Sequence, residues 1–587
     1  MRMLAPSFIA LLAIVLGAIS APADGSEPPN VVLIMTDDQG HGDLGAHGNP
    51  ILRTPNLDRF TEQSVKIDDF YVSPVCAPTR ASLMTGRYNY RTGAVDTYLG
   101  RAMMHPDEVT IAEMLKGGGY RTGIFGKWHL GDNAPMRPQD QGFDEVLVHF
   151  GGGIGQPSDP PVPGGSSYFD PVLQHNGEQI QTEGYVSDVI TTAAINFFEE
   201  PAEQPFFVYL SFNAPHTPLQ VAEQDLAPYL EMDLSHDQFP DIGQPLPGEA
   251  DQETTAKIYG MVTNIDDNVG RLLEALEDRG LADNTLVIFL TDNGPQQVRY
   301  NSGLRGRKGS VYEGGIRVPF YLRWPGKLEA GQVVEEHAAH IDVVPTLLAA
   351  CGVSPPEEVE LDGRNLLPLL EGTADDWPDR TLYFQWHRGD EPEPFRGFAA
   401  RDSRYKLVRA EQRPLNKQEP TFELFDIQAD PFEQFDIAEE NPEVVDRLRS
   451  EYEQWFRDVS SIRGYDPPRI HLGSPKENPT VLTRQDWRGP KAGWGPKDLG
   501  FWEVDIIGPG LFDVTLLFDE PKSEAAILLR LANIMQLSSE IDPNATRYTF
   551  EAVDRFTGPA RLEVEIQPIE GEPYGVKFVE VYRREND

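Results

Sequence analysis

Four apolar runs, each followed directly by polar side chains, constrain the fold of this chain more than any other feature of its sequence. The first run, residues 31–35, is uncharged and leads into Asp37 and Asp38. Runs of similar form lie within residues 121–129, 206–216 and 286–294. Short apolar runs that end in polar residues are typical of strands buried on both faces of a parallel sheet. The pattern therefore predicts an α/β fold.

The segment before the last run has the period of an amphipathic helix. Over residues 254–278, apolar side chains recur at close to a 3.6-residue spacing, and Gly280 follows before the next run. A strand–helix–strand order of this kind predicts a largely parallel sheet flanked by helices. Ligands bind outside the carboxyl ends of the strands in such sheets, so the residues that follow the runs should converge on one crevice. These residues are Asp37, Asp38, Lys127, His129, His216, Asp292 and Asn293.

Four of these residues offer oxygen ligands for a metal ion. Asp37, Asp38, Asp292 and Asn293 provide carboxylate and amide oxygens, which hard cations such as Ca²⁺ or Mg²⁺ prefer. Asp37 and Asp38 alone would also fit a turn or a helix cap. Because a second pair of oxygen donors follows another run of the same predicted sheet, the sequence favours a metal site.

A further candidate site surrounds Cys76. The pattern Cys76-x-Pro78-x-Arg80 is followed by Gly86, and proline at the first position of a short helix with glycine after its last turn is common. Cys76 would then lie at a helix N-terminus, which favours an anion. A nucleophile for a charged substrate, a thiolate enzyme and a disulfide with Cys351 are all open interpretations. Cys351 lies in an apolar helical run, which is more typical of a buried hydrophobic residue.

Cys76-x-Pro78-x-Arg80, followed by Thr-Gly-Arg at residues 85–87, resembles the signature of the type I sulfatases. These are the formylglycine-dependent, arylsulfatase-like enzymes of the alkaline phosphatase superfamily, and the resemblance extends over residues 30–459. It implies that a formylglycine-generating enzyme, as a transient partner, converts Cys76 to Cα-formylglycine (3-oxoalanine), whose hydrate is the nucleophile. It also implies one divalent ion per chain, usually Ca²⁺. The implied metal ligands are Asp37, Asp38, Asp292, Asn293 and residue 76 itself.

The resemblance also assigns roles to basic residues, whose clustering is notable in a chain of net charge −43. Fixed positive charge suits the anionic oxygens of a sulfate ester. Asp292 would accept the proton of the attacking hydroxyl, and His216, assisted by Lys308, would protonate the leaving oxygen. His129, oriented with Lys127, would then accept the proton of the second hydroxyl so that sulfate leaves. The implied catalytic residues are Cys76, Arg80, Lys127, His129, His216, Asp292 and Lys308.

The pattern changes after residue 370 to short strands and one helix at residues 441–459, which resembles the smaller antiparallel α+β C-terminal subdomain of sulfatases. The following segment is rich in Pro, Gly and charge, which predicts a linker. Alternating apolar residues then predict an extra antiparallel β-sandwich, for which carbohydrate binding and a packing role are both open. The predicted units are a signal peptide (1–23), a catalytic domain (27–375), the C-terminal subdomain (376–463), a linker (464–496) and the sandwich (497–587).

The N-terminus predicts export. A positively charged start, an apolar run over residues 4–19 and small residues near Ala23 are typical of a secretory signal peptide. No later run has the apolar length of a transmembrane helix, so we expect a soluble, periplasmic or secreted protein with no membrane span. The net charge of −43 argues against a nucleic-acid partner, which would require basic surfaces.

Together with these patterns, the resemblance to the type I sulfatases implies an exported, metal-dependent, formylglycine-dependent sulfatase that hydrolyses sulfate monoesters. Secretion and the extra β-sandwich favour a sulfated carbohydrate over an aryl sulfate as the natural substrate. One alternative is a formylglycine-dependent phosphonate or phosphodiester hydrolase, which would share the motif and the fold. A second alternative is a non-catalytic protein that binds sulfated glycans, which would keep the basic cluster without the modification.

Overall fold

The computed structural model describes residues 27–159, 166–374, 376–416, 418–532, 534–554 and 557–584. The predicted signal peptide, residues 1–23, lies outside these ranges. None of the helices in the described ranges is both long and apolar enough to cross a membrane.

The N-terminal part is built on a ten-stranded sheet and a separate two-stranded sheet. Its strands are β1 (Asn30–Thr36), β2 (Val65–Ile67), β3 (Phe70–Tyr71), β4 (Arg121–Lys127), β5 (Glu145–His149), β6 (Val172–His175), β7 (Glu178–Gln181), β8 (Phe206–Ser211), β9 (Thr285–Thr291), β10 (Phe320–Arg323), β11 (Val333–Val334) and β12 (Ala338–Ala339). The large sheet has the order β11-β2-β10-β9-β1-β8-β4-β5-β6-β7, while β3 pairs with β12. The central strands β9, β1, β8, β4 and β5 are parallel, and the outer strands add antiparallel pairs.

Helices cover both faces of this sheet. They are α1 (Pro55–Glu62), α2 (Cys76–Thr85), α3 (Asn89–Thr92), α4 (Ile111–Gly117), α5 (Val186–Glu199), α6 (Glu223–Leu230), α7 (Gln252–Asp278), α8 (Glu313–Ile316), α9 (Val343–Ala350) and α10 (Leu367–Leu370). Alternate residues of β1 enter different cores: Val31 packs with α2, α4 and α9, whereas Val32 packs with α1, α5 and α7. A strand apolar on both faces has to be covered on both, which is why the run is continuous. The predicted α/β fold with a largely parallel sheet is confirmed.

Two helix predictions can be compared directly with the structure. Helix α7 begins two residues before the predicted start, because the carboxylate of Asp251 accepts a hydrogen bond from the backbone N–H of Thr254 at 2.7 Å and caps it. Helix α2 begins at Cys76, so the prediction that Pro78 is its first residue is wrong by two positions. Val75 is the last extended residue, and proline is tolerated within a first turn because the N–H groups there have no helical partner.

The structure also excludes the disulfide that the two cysteines could have formed. Cys76 and Cys351 are both free and buried, so they form no disulfide. Cys351 follows α9 and packs in the apolar core below the sheet, as expected of a buried hydrophobic residue.

An antiparallel sheet with one helix follows the N-terminal part along the chain. Its elements are β13 (Leu382–Gln385), β14 (Phe398–Arg401), β15 (Tyr405–Arg409), β16 (Glu423–Asp426) and α11 (Pro442–Ser461), with the strands paired in sequence order. A buried ion cluster joins this subdomain to the N-terminal part. Lys406 Nζ lies 2.7 Å from a carboxylate oxygen of Glu313, the first residue of α8, and 2.8 Å from one of Glu433.

The C-terminal part is a sandwich of two sheets. Its strands are β17 (Ile470–Leu472), β18 (Thr480–Thr483), β19 (Arg488–Lys491), β20 (Leu499–Ile506), β21 (Leu511–Leu517), β22 (Ala525–Leu531), β23 (Met535–Ile541), β24 (Arg547–Asp554), β25 (Gly558–Pro568) and β26 (Phe578–Arg583). One sheet has the order β17-β20-β25-β22-β23, with β19 on β20, and the other the order β18-β26-β21-β24. The sandwich core also includes three residues of the N-terminal part, Leu99, Met103 and Met136.

The prediction that residues 464–496 form a linker is wrong. This segment contains β17, β18 and β19, which pair with strands of both sandwich sheets. Each of these strands has only three or four residues, so none is long enough to show the alternation that identifies a strand. The segment still buries Trp487 completely, and the sandwich therefore begins before residue 497.

Candidate active site

The carboxyl ends of the central strands bring the predicted oxygen ligands together. Asp37 and Asp38 follow β1, and Asp292 and Asn293 follow β9, its parallel neighbour. The backbone N–H of Asp38 donates to Oδ1 of Asp292 at 3.2 Å, and Nδ2 of Asn293 donates to Oδ1 of Asp38 at 2.8 Å. Asp38 has φ of 62°, a left-handed conformation that a non-glycine residue holds only when its surroundings impose it. All four side chains are fully buried.

Helix α2 places Cys76 and Arg80 beside these carboxylates. The side chain of Arg80 has no exposed surface, and its Nη2 donates to Oδ2 of Asp292 at 2.8 Å. Its Nη1 donates to Oγ of Ser211, the last residue of β8, at 2.6 Å. The guanidinium therefore links α2 to β8 and to the end of β9, the two strands on either side of β1, and Cys76 lies in the first turn of the same helix.

Two basic residues come from the end of β4. Lys127 Nζ donates to Oδ2 of Asp37 and, at 2.5 Å, to the carbonyl oxygen of Gly152. His129 Nε2 lies 2.7 Å from the carbonyl oxygen of Thr97. A carbonyl oxygen only accepts, so Nε2 carries a proton and Nδ1 is the nitrogen that can act as a base. His129, like Asp38, has a left-handed backbone, with φ of 62°.

His216 and Lys308 both lie beside the carboxylate of Asp38. His216 Nδ1 is 2.7 Å from the carbonyl oxygen of Thr217, which makes Nδ1 the protonated nitrogen and leaves Nε2 free, 3.8 Å from Oδ2 of Asp38. Lys308 Nζ is 2.6 Å from Oδ1 of Asp38. The side chain of Lys308 is 14% exposed, whereas those of Arg80 and Lys127 are completely buried. Lys308 is therefore the most accessible of these three cations.

The oxygen donors fit a hard divalent cation. Within the described part of the chain, no hydrogen-bond donor reaches the buried Oδ1 of Asp37, Oδ2 of Asp38 or Oδ1 of Asn293. A carboxylate oxygen of Asp37, one of Asp292 and Sγ of Cys76 lie within 4.8 Å of one another. Buried, unpaired oxygens of this kind are costly unless an ion or a water binds them. Their chemistry suits Ca²⁺ or Mg²⁺ better than zinc, because sulfur and imidazole are the minority of the donors.

The charges around the site also favour a cation. Burial alone would raise the pKa of Asp37, but the positive charges of Lys127, His216 and Arg80 outweigh it and hold this pKa below its ordinary value. Burial and the negative charge of Asp37 raise the pKa of Asp292 to about 7. The buried site thus contains three acidic residues, Asp37, Asp38 and Asp292. A bound cation would relieve the repulsion between their carboxylates.

The same burial bears on the thiolate alternative for Cys76. A helix N-terminus lowers the pKa of a thiol, but desolvation raises the pKa of Cys76 above its ordinary value despite the nearby Lys127 and Lys308. The side chain would therefore be a neutral thiol at pH 7, which is a poor nucleophile. This argues against a thiolate enzyme.

All the predicted site residues lie in this one cluster, but three groups that hold it were missed by sequence reasoning. Ser211 binds Arg80, and the carbonyl oxygens of Thr97 and Gly152 bind His129 and Lys127. A backbone carbonyl has no side-chain signal. Ser211 could have been found, because it follows the apolar run of β8 just as Asp37 follows that of β1.

Comparison with known proteins supports the resemblance to the sulfatases. The family model described as Sulfatase matches residues 29–353, and the model described as N-sulphoglucosamine sulphohydrolase, C-terminal, matches residues 307–458. N-acetylgalactosamine-6-sulfatase of Homo sapiens is 34% identical over 407 residues, which cover 64% of this chain and 70% of the relative. Arylsulfatase A of Bos taurus is 34% identical over 459 residues, which cover 73% of this chain and 87% of the relative.

A solved structure shows the same architecture. The crystal structure of Ps i-CgsB in complex with k-i-k-neocarrahexaose matches with a TM-score of 0.64 and 30% identity, over 75% of this chain and 95% of that chain. A family model that matches more than half of this chain, together with relatives one-third identical over most of its length, shows that the chain belongs to the sulfatase family of sulfuric ester hydrolases.

Proposed function

We propose that the protein is an exported sulfatase that hydrolyses sulfate monoesters of carbohydrates, with formylglycine made from Cys76 and one bound divalent ion, Ca²⁺ in preference to Mg²⁺. The observation that carries this proposal is the position of Cys76. Its Sγ lies within 4.8 Å of carboxylate oxygens of Asp37 and Asp292, at the start of a buried helix and beside a cluster of cations. The cysteine thus faces both a candidate cation and the positive charge that a sulfate needs.

Asp37, Asp38, Asp292 and Asn293 would hold the ion through the oxygens described above. When bound, the ion supplies positive charge beside residue 76, and hydrated formylglycine supplies an oxygen nucleophile. A formylglycine-generating enzyme of the host would convert Cys76 to formylglycine. The other site residues carry out the steps that follow.

Two cations are placed to bind the transferred sulfuryl group. Lys127 pairs with Asp37 and Lys308 with Asp38, and the charges of both lysines act to lower the pKa of Cys76, so an anion on residue 76 would meet positive charge from each. Fixed charges in a buried site stabilise the oxygens of a transition state more strongly than water does. Arg80, behind residue 76, positions that residue and Asp292.

Two histidines are placed to move protons. His216 already donates from Nδ1 to the carbonyl of Thr217, so Nε2 is the atom that would bring a proton to the leaving oxygen. His129 donates from Nε2 to the carbonyl of Thr97, so Nδ1 is the atom that would accept a proton from residue 76 as sulfate is released. Burial lowers the pKa of both imidazoles. This keeps His129 in the neutral form that a base requires, and it makes the imidazolium form of His216, the form that carries a proton on Nε2 as well as on Nδ1, a stronger acid.

The substrate class and the location are supported by similarity and by the sequence. One relative is named N-acetylgalactosamine-6-sulfatase, and a neighbouring structure is a complex with k-i-k-neocarrahexaose. Both names refer to carbohydrates. The predicted signal peptide supports a periplasmic or secreted location, where such polymers are met.

The test begins with the mass of the tryptic peptide 67–80 from protein purified out of its native host. The proposal expects the mass of formylglycine or of its hydrate at residue 76. Sulfate release from 4-nitrophenyl sulfate and from sulfated sugars should then fall at least 10³-fold in Cys76→Ala, whereas Cys351→Ala, the matched control, should keep full activity. An unmodified thiol at full occupancy in active protein would overturn the formylglycine proposal.

Parallel assays separate the alternatives. A phosphonate or phosphodiester hydrolase would cleave phosphate or phosphonate esters with a higher kcat/KM than the corresponding sulfate esters. A non-catalytic binding protein would bind sulfated sugars and release no sulfate at all. Either result would reject the sulfatase activity proposed for this site.

A further inference from the structure

One segment of the sandwich differs in charge from the rest of this acidic chain. Residues 487–497, here called the basic loop, contain Arg488, Lys491 and Lys497 and no acidic residue, although the chain as a whole has 93 acidic and 50 basic residues. The basic loop includes β19 and the turn that leads to β20. It lies beyond residue 458, where the matched family models end.

The basic loop reaches the edge of the active site through residues 97–100. Trp494 packs edge-on against Tyr98, with ring centroids 5.2 Å apart. Arg488 Nη1 donates to the carbonyl oxygen of Gly100 at 2.7 Å. Just before the basic loop, Gln485 Nε2 donates at 3.0 Å to the carbonyl oxygen of Thr97, which also accepts the hydrogen bond from the catalytic candidate His129. The sandwich therefore contacts a group that directly orients the active site.

The backbone on both sides of Trp494 is held in place. Trp487 Nε1 donates to the carbonyl oxygen of Gly493 at 3.1 Å, and Arg484 Nη1 donates to that of Gly495 at 2.5 Å. The N–H of Gly495 donates to Oδ2 of Asp498 at 2.6 Å. The indole of Trp494 is nevertheless 36% exposed. A large aromatic side chain that is held rigidly and left exposed is typical of a binding platform.

One cation lies on this aromatic pair, and two more are close to Trp494 in the sequence. The guanidinium of Arg388, whose side chain is 49% exposed, lies over the ring of Tyr98 at 4.5 Å, and its Nη1 donates to Oγ1 of Thr97 and to Oδ1 of Asp96. Lys491 and Lys497, each three residues from Trp494, are exposed, and neither forms an ion pair with any carboxylate in the described residues. Flat apolar faces with nearby cations match a pyranose ring that carries sulfate, since the ring stacks on aromatic carbon and the sulfate requires positive charge.

We propose that the basic loop and Tyr98 form a subsite for a second, sulfated sugar, adjacent to the sugar whose ester is cleaved. Trp494 and Tyr98 contact the ring, and Arg388, Lys491 and Lys497 bind its sulfate. This inference rests on the proposed function and extends it, because it identifies the substrate as a chain of at least two sugars. The sandwich is then part of the substrate-binding site.

The experiment compares a long and a short substrate. Trp494→Ala should lower kcat/KM for a sulfated hexasaccharide at least 10-fold more than for 4-nitrophenyl sulfate, mainly through KM. The hexasaccharides are prepared from chondroitin 6-sulfate and from a sulfated galactan, and the effect is expected for the one that the wild type cleaves faster. The double variant Lys491→Gln, Lys497→Gln should also make KM for the hexasaccharide less dependent on NaCl concentration. Tyr582→Ala, which removes another exposed aromatic residue of the sandwich, is the control and should change neither substrate.

Equal losses on the two substrates, or none, would overturn the inference while leaving the proposed sulfatase activity intact. If the wild type released sulfate from no ester, the proposed function would fail, and calorimetry with Cys76→Ala protein and the same hexasaccharides would still test the subsite. Binding that Trp494→Ala weakens at least 10-fold would support the subsite. Lack of binding by the Cys76→Ala protein would reject it.

Discussion

Each of the two histidines in this site is oriented by a hydrogen bond to a backbone carbonyl. The two histidines donate through different ring nitrogens, His129 through Nε2 and His216 through Nδ1, so the free nitrogen also differs. Such second partners decide which atom of an imidazole can accept or release a proton. A base and an acid can therefore be built from the same residue type in one pocket.

The first residue-scale prediction concerns His216. We expect His216→Asn to lower kcat/KM by about 10²–10⁴-fold for a carbohydrate sulfate, whose leaving alkoxide needs a proton. The loss should be much smaller for 4-nitrophenyl sulfate, because nitrophenolate leaves without protonation. Steady-state rates with both substrates measure the difference. His175→Asn, a partly exposed histidine on the outer strand β6, serves as the control and should affect neither rate; an equal loss on both substrates would contradict the acid role.

At the scale of secondary-structure elements, the site depends on how closely the segments after β9 and before β10 approach each other. Gly294 follows the candidate ligand Asn293, and its N–H donates to the carbonyl oxygen of Gly315 at 3.0 Å. A Cβ added at Gly294 would lie 1.9 Å from the carbonyl oxygen of Gly314. No side chain other than hydrogen fits there.

We therefore expect Gly294→Ala to displace Asn293 and to weaken binding of the divalent ion. The apparent affinity for Ca²⁺, measured by reactivation after treatment with a chelator, should fall at least 10-fold, and the free energy of unfolding should fall by about 1–3 kcal/mol. Gly117→Ala is the matched control, since nothing lies within 4 Å of a Cβ at this last residue of α4. Unchanged Ca²⁺ reactivation in Gly294→Ala would show that this contact does not position the ligand.

The element scale also shows what could be predicted from the sequence. The runs that became β1, β4, β8 and β9 are neighbours in the sheet, so the polar residues after them had to meet, and the cluster of oxygen ligands and cations was predictable. The role of Thr97 was not predictable, because its contact to His129 is made by a backbone carbonyl. The strands of residues 464–496 were missed because they are too short to show a period, and each is stabilised by its partner strands rather than by its own pattern.

At the scale of the whole molecule, two buried carboxyl groups lie where the sandwich joins the catalytic part. Asp132 accepts a hydrogen bond from the N–H of Gly151 at 2.9 Å, while neither carboxyl oxygen of Asp486 has a hydrogen-bond partner among the described residues. Burial raises the pKa of Asp486 to about 7, and burial with the charge of Asp486 raises the pKa of Asp132 above its ordinary value. The two groups thus resist ionisation in the folded protein.

This pair predicts how stability depends on pH. An acid whose pKa is raised on folding binds its proton more tightly in the folded state, so its contribution to stability is full below the unfolded pKa of about 4 and is lost as pH rises through about 7. Asp486→Asn should therefore increase the free energy of unfolding at pH 8 by on the order of 1–2 kcal/mol, with little gain at pH 4.

Thermal unfolding at both pH values measures this effect. Asp542→Asn, an exposed residue of the same sandwich, is the control and should shift the midpoint equally little at each pH. A lower midpoint for Asp486→Asn at pH 8 would contradict the assignment, because it would mean that the charged carboxylate has a stabilising partner.

The central position of β1 and the complete burial of α2 together determine the order of events while the chain is made. Strand β1 pairs with β8 and β9, so the sheet cannot form around it until residues up to Thr291 have emerged from the ribosome. Cys76 is 2% exposed in the folded protein, and an enzyme that modifies it must reach it earlier. At about 5–20 residues per second, synthesis alone keeps this residue accessible for tens of seconds. The topology of the sheet thus limits the time in which the proposed modification of residue 76 can take place.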